Sequence, residues 1–359
     1  MYRIFVINIG SSSLKAALFE NEEQVWSVTK RHDPEAIRAF PAVYDQIDFR
    51  MAAIDEVIAE KGLDFSSIDA IACRGGFCKP LESGTYTICD VLLDDLRHAR
   101  WGEHAANVSP FCGKILSERY GKPAYYTDPV SVDEFAPESY ITGMPGMRRI
   151  CKVHALNHKA VARYAARELG KPYETCNFIV AHMGGGITVA AHRKGRMVDT
   201  CSPADEGPFC IDRPGQLPNL KLLDYILSSG KSRDELYREL STGCGLMAYT
   251  GLSDLIEIEK LAAKDTEVAL LLNAMAYRIA FHILGYMAAF DGEPVDAVIL
   301  TGGMARSDWI VPAISKRIEP FSNIIVYRGE FEMQALAEGA IRVLSGAERA
   351  KVYQRACAR

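Results

Sequence analysis

The hydrophobic and polar positions change period several times along the chain, and each change marks an element. Residues 3–8 and 14–19 are apolar β-runs joined by the Gly10–Ser13 turn. Val25–Lys30 reads as a third strand after the polar turn Glu20-Asn21-Glu22-Glu23. The spacing from Ala36 to Lys61 predicts a helix that stops near Gly62. Ile68–Cys73 reads as a strand running into Arg74-Gly75-Gly76. Val91–Ala99 and Ser109–Tyr120 read as helices, and Ala124–Thr127 as a short strand opening onto Asp128-Pro129. Lys152–Leu169 is a strongly periodic helix closed by Gly170-Lys171-Pro172. A second hairpin follows, with Phe178–Met183, the Gly184-Gly185-Gly186 turn and Ile187–Val189. The Lys194-Gly195 turn then leads into Arg196–Thr200. Residues 201–220 carry Pro, Gly and charge without a period, which reads as a long loop of the functional or disordered kind. Helices are expected over 221–229, 232–240, 253–263 and Met333–Leu344, and strands over Val295–Leu300 and Ile324–Tyr327.

The order is β-β-β-α-β-α followed by α-β-β-β-α-β-α, which is one α/β unit used twice. At 359 residues two domains are expected. No low-complexity linker separates them, so the boundary is placed near 148–153. This gives domains over 1–150 and 151–336, with 337–359 left open to pack back on the first. Each half carries an apolar strand, a tight Gly or Gly/Ser turn and a second strand. Such a hairpin turns backbone N–H groups and hydroxyls toward anionic oxygens. Two of them, one per half, point to phosphoryl chemistry on one nucleotide gripped from both sides, with closure that excludes water.

Composition narrows the class. The net charge of −5 is mild, and no basic stripe interleaved with aromatics argues for nucleic acid. The ten cysteines include no C-x-x-C pair and have few histidines nearby, so reduced thiols are expected rather than zinc or disulfides, with Cys78 and Cys210 as the candidates for a reactive thiol. The N-terminus runs directly into a strand with no signal-peptide pattern, and a cytoplasmic location is expected. The apolar stretch Val268–Phe290 contains Asn273, Arg278 and His282, so it is read as a buried helix and no membrane contact is expected.

Asn8-Ile9-Gly10-Ser11-Ser12-Ser13, His182-Met183-Gly184-Gly185-Gly186 and Leu300-Thr301-Gly302-Gly303 together resemble the actin-like ATPase superfamily. More narrowly the chain resembles the acetokinase family. The supporting segments, in the family's order, are Arg74-Gly75-Gly76, His104-Ala105-Ala106-Asn107, Asp128-Pro129-Val130, His154-Ala155-Leu156-Asn157-His158-Lys159-Ala160, Glu206-Gly207-Pro208-Phe209, Asp212-Arg213-Pro214-Gly215 and Ala335-Leu336-Ala337-Glu338-Gly339. Each alone is weak, and the ordered set spans nearly the whole chain. The length fits the family's butyrate-phosphorylating branch better than its longer acetate kinases. The resemblance implies an α/β fold of two duplicated actin-like (ribonuclease H-like) domains around a nucleotide cleft. It implies reversible, in-line phosphoryl transfer between ATP and butyrate with Mg²⁺, giving butyryl phosphate and ADP. Acetate, propionate or isobutyrate remain alternative acceptors. A sugar kinase or a non-catalytic actin-like ATP-binding protein remain alternative classes, although no segment resembles a sugar-binding motif. A homodimer or higher homo-oligomer follows by family analogy.

A carboxylate is already ionised near neutral pH, so the nucleophile needs no general base. The site must instead hold anions together and stabilise charge in transit. By resemblance Arg74 binds the substrate carboxylate or the transferring phosphoryl, and Arg213 offsets charge in the transition state. A planar fork donor suits either anion. His104 and His154 match the family's histidines near the phosphoryl group, and Asp128 matches its catalytic aspartate, with Asp133 as a rival. Gly10, Ser11, Ser12 and Lys15, together with His182, Gly184, Gly185 and Gly186, are the phosphate candidates. Gly302 and Gly303 would admit the adenosine. Asn8 and Glu332 are the Mg²⁺ candidates, with Glu330 as the second choice. Gly75 and Gly76 lack side chains beside the carboxylate anchor, and this is read as room for an alkyl tail, the alternative being a tight turn.

Overall fold

The structure, a computed structural model, is described for residues 1–203 and 205–354. Its first part runs through strands β1 (Arg3–Ile9), β2 (Ser13–Glu20) and β3 (Glu23–Arg31), helices α1 (Pro34–Arg38) and α2 (Ile47–Glu60), strands β4 (Ala70–Arg74) and β5 (Thr85–Thr87), helices α3 (Asp90–Arg97) and α4 (Ser109–Tyr120), and strand β6 (Ala124–Thr127). Helix α5 (Ala155–Glu168) precedes β7 (Asn177–Met183), β8 (Ile187–Arg193) and β9 (Arg196–Thr200). Five helices follow: α6 (Asn219–Ser228), α7 (Arg233–Thr242), α8 (Gly245–Thr250), α9 (Leu255–Ala262) and α10 (Thr266–Gly285). Strand β10 (Ala297–Thr301), helix α11 (Ile310–Ile318), strand β11 (Ile324–Val326), helix α12 (Glu332–Leu344) and strand β12 (Lys351–Val352) complete the order.

The chain forms two units, Met1–Asp133 with Phe331 onward, and Glu134–Glu330. In the first, the strands lie in the order β12-β5-β6-β4-β1-β2-β3; in the second, β11-β10-β7-β8-β9. The shared pattern is plain. An antiparallel β-β-β meander is extended by parallel strands on the side of its first strand, β4 and β6 in one unit and β10 and β11 in the other. Strands β1 and β7 are buried over almost every residue, because central strands covered on both faces are apolar throughout. Edge strand β3 alternates between exposed and half-buried positions.

Residues 134–150 pack with the second unit, not with the first as a boundary at 148–153 supposed. Ala136 N–H donates to the Val198 carbonyl, and Arg149 pairs with Asp199 at 2.8 Å and Glu206 at 3.0 Å. The fully buried Lys159 ammonium meets Glu134 at 2.6 Å. Helix α12 packs on β1, β4 and β6, which places Glu332 in the first unit.

Five elements differ from the sequence expectation. The helix expected over Ala36–Lys61 is broken into α1, a 3-10 turn at Val43–Gln46 and α2. Pro41 explains the break, since it lacks the N–H and its ring collides with the preceding turn. The helix expected from Lys152 starts at Ala155, leaving His154 outside it with ψ 59°. Strands β5 and β12 and helix α8 were not anticipated, because two- to six-residue elements are too short to show a period. Helix α10 with its 3-10 extension, Thr266–Phe290, is long and apolar enough to cross a membrane by composition. Its Leu272, Met275, Ala276, Ile279 and Ile283 are buried in the core of the second unit, while Leu270, Tyr277 and Phe281 on the same helix are exposed.

Candidate functional site

In the first unit, β1, β4 and the start of α12 bring three polar side chains together. Arg74 ends β4, beside Asn8 near the end of β1. Its Nη1 donates to Asn8 Oδ1 at 3.3 Å and pairs with Glu332 Oε2 at 3.1 Å, and Asn8 Nδ2 donates to the same carboxylate at 3.0 Å. Lys15 lies directly across the hairpin from Asn8 and is exposed. His104 caps a 3-10 turn. Its Nδ1 accepts the Ala106 N–H at 3.0 Å, so the neutral ring carries its proton on Nε2. Burial, helped by the Arg74 charge and opposed by Glu332, lowers its pKa and favours that neutral form.

Asp128 follows β6 with φ 41°, a left-handed conformation unusual for a side-chain-bearing residue. Its buried carboxylate accepts from Ser83 Oγ at 2.6 Å and Gly84 N at 2.7 Å. Asp133 is half-buried and donates its N–H to the Leu81 carbonyl.

Gly75 and Gly76 do not border open space. A Cβ on Gly75 would strike the Tyr126 ring and Pro129, and one on Gly76 would strike Asn107. The missing side chains are accounted for by packing, which corrects the expectation that they leave room for an alkyl tail. Gly76→Val is therefore expected to destabilise the fold by about 1–3 kcal/mol or more and to cut turnover on acetate and butyrate alike. Thermal melts and rates on both acids test this; a loss confined to the longer acid would reinstate the pocket.

The second unit carries the other turn. His182 and Thr188 face one another across the hairpin flanking Gly184-Gly185-Gly186. The Asn157 amide nitrogen donates to His182 Nδ1 at 3.0 Å and to Thr301 Oγ1 at 3.2 Å, so neutral His182 holds its proton on Nε2. That nitrogen lies beside Gly184. Arg213 reaches the same turn from the Pro/Gly loop: its Nη1 fills the place a Cβ on Gly186 would need, while its Nε donates to the Ser241 carbonyl at 3.3 Å. Gly302 has φ 92°, and a Cβ there would strike the Met183 backbone, so only glycine lets the end of β10 come this close to the turn. Gly303 faces open space, and Glu330 lies near Gly184. A cavity of 560 Å³ beneath α6–α8, lined by Phe209, Pro214, Leu222, Tyr225 and Leu240 among others, includes none of the turn glycines.

His154 stacks on His182 at 4.2 Å between centroids, and a chain of buried groups stands behind it. Thr188 Oγ1 lies 3.0 Å from His154 Nδ1 and 2.9 Å from His158 Nε2. His158 Nδ1 lies 3.4 Å from His192 Nε2, and His192 Nδ1 lies 2.7 Å from the Tyr173 hydroxyl. Sequence reasoning assigned no role to Asn157, His158, Thr188, His192 or Tyr173. The available signals were the i, i+4 spacing of His154 and His158 along the chain into α5 and the period-2 spacing that sets Thr188 and His192 on one face of β8.

Burial, reinforced by neighbouring imidazoles and cations, lowers the His158 pKa far below its ordinary value; burial, reinforced by Lys159 and Arg163, does the same for His192. The fold therefore favours both as neutral rings. Their contribution is present above the unfolded pKa of about 6.5 and is lost as pH falls below it, by about 1.4 kcal/mol per pH unit for each ring. The melting temperature should drop between pH 7 and 5; a flat profile over that range would contradict the buried neutral pair.

The described cysteines are free thiols. Burial pushes Cys78 and Cys210 up to about 11, which removes both as candidates for a reactive thiol.

The repeated strand order with a phosphate-type turn in each unit defines an actin-like ATPase fold. The chain is similar in structure to the acetate kinase of Porphyromonas gingivalis (TM-score 0.79, 19% identity, 96% of this chain and 100% of that one). It is similar also to a propionate kinase from Francisella tularensis subsp. tularensis (TM-score 0.76, 21% identity, 94% and 99%). A ROK family protein from Streptococcus pneumoniae, solved with sucrose, shares the fold more distantly (TM-score 0.53, 13% identity, 96% and 99%). The profile of the acetokinase family matches residues 132–317, just over half of the chain. The chain belongs to the acetokinase family of ATP-dependent carboxylate kinases.

Proposed function

We propose that this protein is a butyrate kinase, transferring a phosphoryl group reversibly between ATP and butyrate to give butyryl phosphate and ADP. The observation that carries the kinase chemistry is the pair of anion-directed clusters. One is Arg74 with Asn8, Glu332 and His104 in the first unit. The other is Arg213, His182 and His154 around Gly184–Gly186 in the second. Both supply cations and N–H donors, as transfer between two anions demands.

In this reading Arg74 anchors the carboxylate, and its ionised oxygen attacks the γ-phosphorus in line as the bond to the β-phosphate oxygen breaks. Arg213 and the Nε2–H of His182, with His154 and His104, stabilise charge on the equatorial oxygens. The Gly10–Ser12 and Gly184–Gly186 turns cradle phosphates, with Lys15 on the first, and Gly302–Gly303 admit the adenosine. Asp128 is the catalytic aspartate in preference to Asp133, and its carboxylate would orient Arg213 or a water held by Mg²⁺.

Two hard oxygen donors, Asn8 Oδ1 and the Glu332 carboxylate, lie side by side, and Arg74 already engages both. That set fits a hydrated Mg²⁺ held through water rather than a cage of carboxylates. Mg²⁺ would there screen the phosphate charges, and Glu332 fits this role better than Glu330.

Preference for butyrate rests on the resemblance carried by the ordered motif set. Phe77 packs edge-on against His104 at 5.6 Å between centroids, and in this reading it is an apolar side chain that a tail would meet. A homodimer or higher homo-oligomer and a cytoplasmic location complete the reading. The deciding experiment is hydroxamate trapping of acyl phosphate with ATP, Mg²⁺ and a series from acetate to valerate, with glucose as control. The greatest kcat/KM on butyrate supports the proposal. Preference for acetate or propionate removes butyrate and keeps the kinase. ATP use with glucose alone would overturn both.

A further inference from the structure

Arg50, on α2, has a fully buried side chain. Its Nε and Nη2 donate to Gln46 Oε1 at 3.2 and 2.9 Å, and Nη2 also donates to the Ser11 carbonyl at 3.0 Å. Its Nη1 is buried without a partner. Among the described residues no carboxylate pairs with it. The titratable groups facing it are His32, whose pKa burial and Arg50 both lower, and the Cys112 thiol, pushed up to about 12 by burial. Both are neutral near pH 7. A buried cation without a counter-ion is costly, and breaking or omitting such a pairing is among the larger penalties a fold can carry.

The Ser11 carbonyl that Arg50 holds belongs to the same peptide plane as the Ser12 N–H. In a trans peptide these two groups point in opposite directions. Gly10 N–H and His32 N–H likewise hold the Ser13 and Ser12 carbonyls, at 2.8 and 2.9 Å. The carbonyls of Ser11, Ser12 and Ser13 are thus occupied. Ser11 and Ser12 are exposed, and their N–H groups donate to nothing among the described residues. Hydrogen bonds in series polarise one another, so a cation on the carbonyl strengthens the N–H at the far end of the plane.

We propose that Arg50 is a positioning residue for the first phosphate turn, whose counter-ion is the phosphate of the bound nucleotide, reached through the Ser11–Ser12 peptide. Arg50 touches no substrate in this scheme. It fixes the turn with its N–H groups outward and lends them its charge, and phosphate binding in turn balances that charge. The inference rests on the ATP-dependent reading above.

The test is calorimetric binding of a non-hydrolysable ATP analogue and of adenosine to the wild type, Arg50→Lys and Arg50→Met. A charge-assisted contact predicts about a tenfold loss of affinity for the analogue in Arg50→Met, with adenosine unchanged. Arg50→Lys, which keeps the cation, should recover most of the loss. Should Arg50→Met not fold, Arg50→Lys and amide NMR of the wild type decide: the analogue is expected to move the Ser12 amide proton downfield. Equal affinity for the analogue in wild type and Arg50→Met, equal losses for analogue and adenosine, or an unmoved Ser12 amide would overturn the role of Arg50. If the wild type makes acyl phosphate in the trapping assay, such a result leaves the kinase standing; if it neither binds the analogue nor makes acyl phosphate, the functional reading itself fails.

Discussion

Arg213→Ala is expected to lower kcat by about a hundredfold or more, close to 3 kcal/mol of barrier, with KM for ATP little changed. The guanidinium occupies the space above Gly186, in the Gly184–Gly186 turn, and is steadied by the Ser241 carbonyl and, at 3.9 Å, the Asp212 carboxylate. It is partly exposed, so holding it in place costs side-chain entropy that a merely decorative arginine would not justify. A cation there acts most strongly when charge spreads over the moving phosphoryl group, and that places its effect in kcat rather than in ground-state binding. Steady-state kinetics on a variant that melts like the wild type checks it, and a kcat within threefold of wild type would remove Arg213 from the chemistry. Arg213→Lys should recover little, because an ammonium on a flexible stem lacks the planar fork.

The second large effect is expected at Arg74. Arg74→Ala removes the proposed carboxylate anchor and leaves Glu332, only 15% exposed, beside Asn8 without its cation. Losing a charge-assisted contact while stranding a half-buried carboxylate costs about 3 kcal/mol or more, which corresponds to a fall of a hundredfold or more in kcat/KM for the acid. Both kcat and KM for the carboxylate should suffer, unlike Arg213→Ala, where the loss lies in kcat. The double variant Arg74→Ala/Glu332→Gln should regain stability without regaining activity, because it removes the stranded charge and not the missing anchor. Unchanged KM for butyrate in Arg74→Ala would place the carboxylate elsewhere.

Which parts of this were legible in the chain follows from the range of the forces involved. The two hairpins were readable because an apolar run, a Gly or Ser turn and another apolar run are local instructions; β1–β2 and β7–β8 obey them. Arg74 at the end of β4 and Asp128 at the end of β6 were placed correctly relative to their strands for the same reason. The long Pro/Gly loop before α6 was also visible as a loss of period. Pro41 was an equally local signal that the reading of one helix over Ala36–Lys61 passed over, and it breaks the helix where an interior proline must.

The sequence by itself determined the duplicated β-β-β-α-β-α order, the position of each glycine- or serine-rich hairpin turn and the residue types set around it, because period and turn chemistry report which face a residue takes and where the chain reverses. Only the tertiary structure decided which distant residues meet. Asn8 and Glu332 are 324 positions apart and share a hydrogen bond. Arg213 lands on Gly186, and Gly75 and Gly76 prove to be fitted against Tyr126 and Asn107 rather than against a substrate tail. The Tyr173–His192–His158–Thr188 chain behind His154, and the buried Arg50 behind Ser11, belong to the same class. A periodic pattern says that a side chain is buried; what it is buried against depends on packing between elements that no local signal encodes.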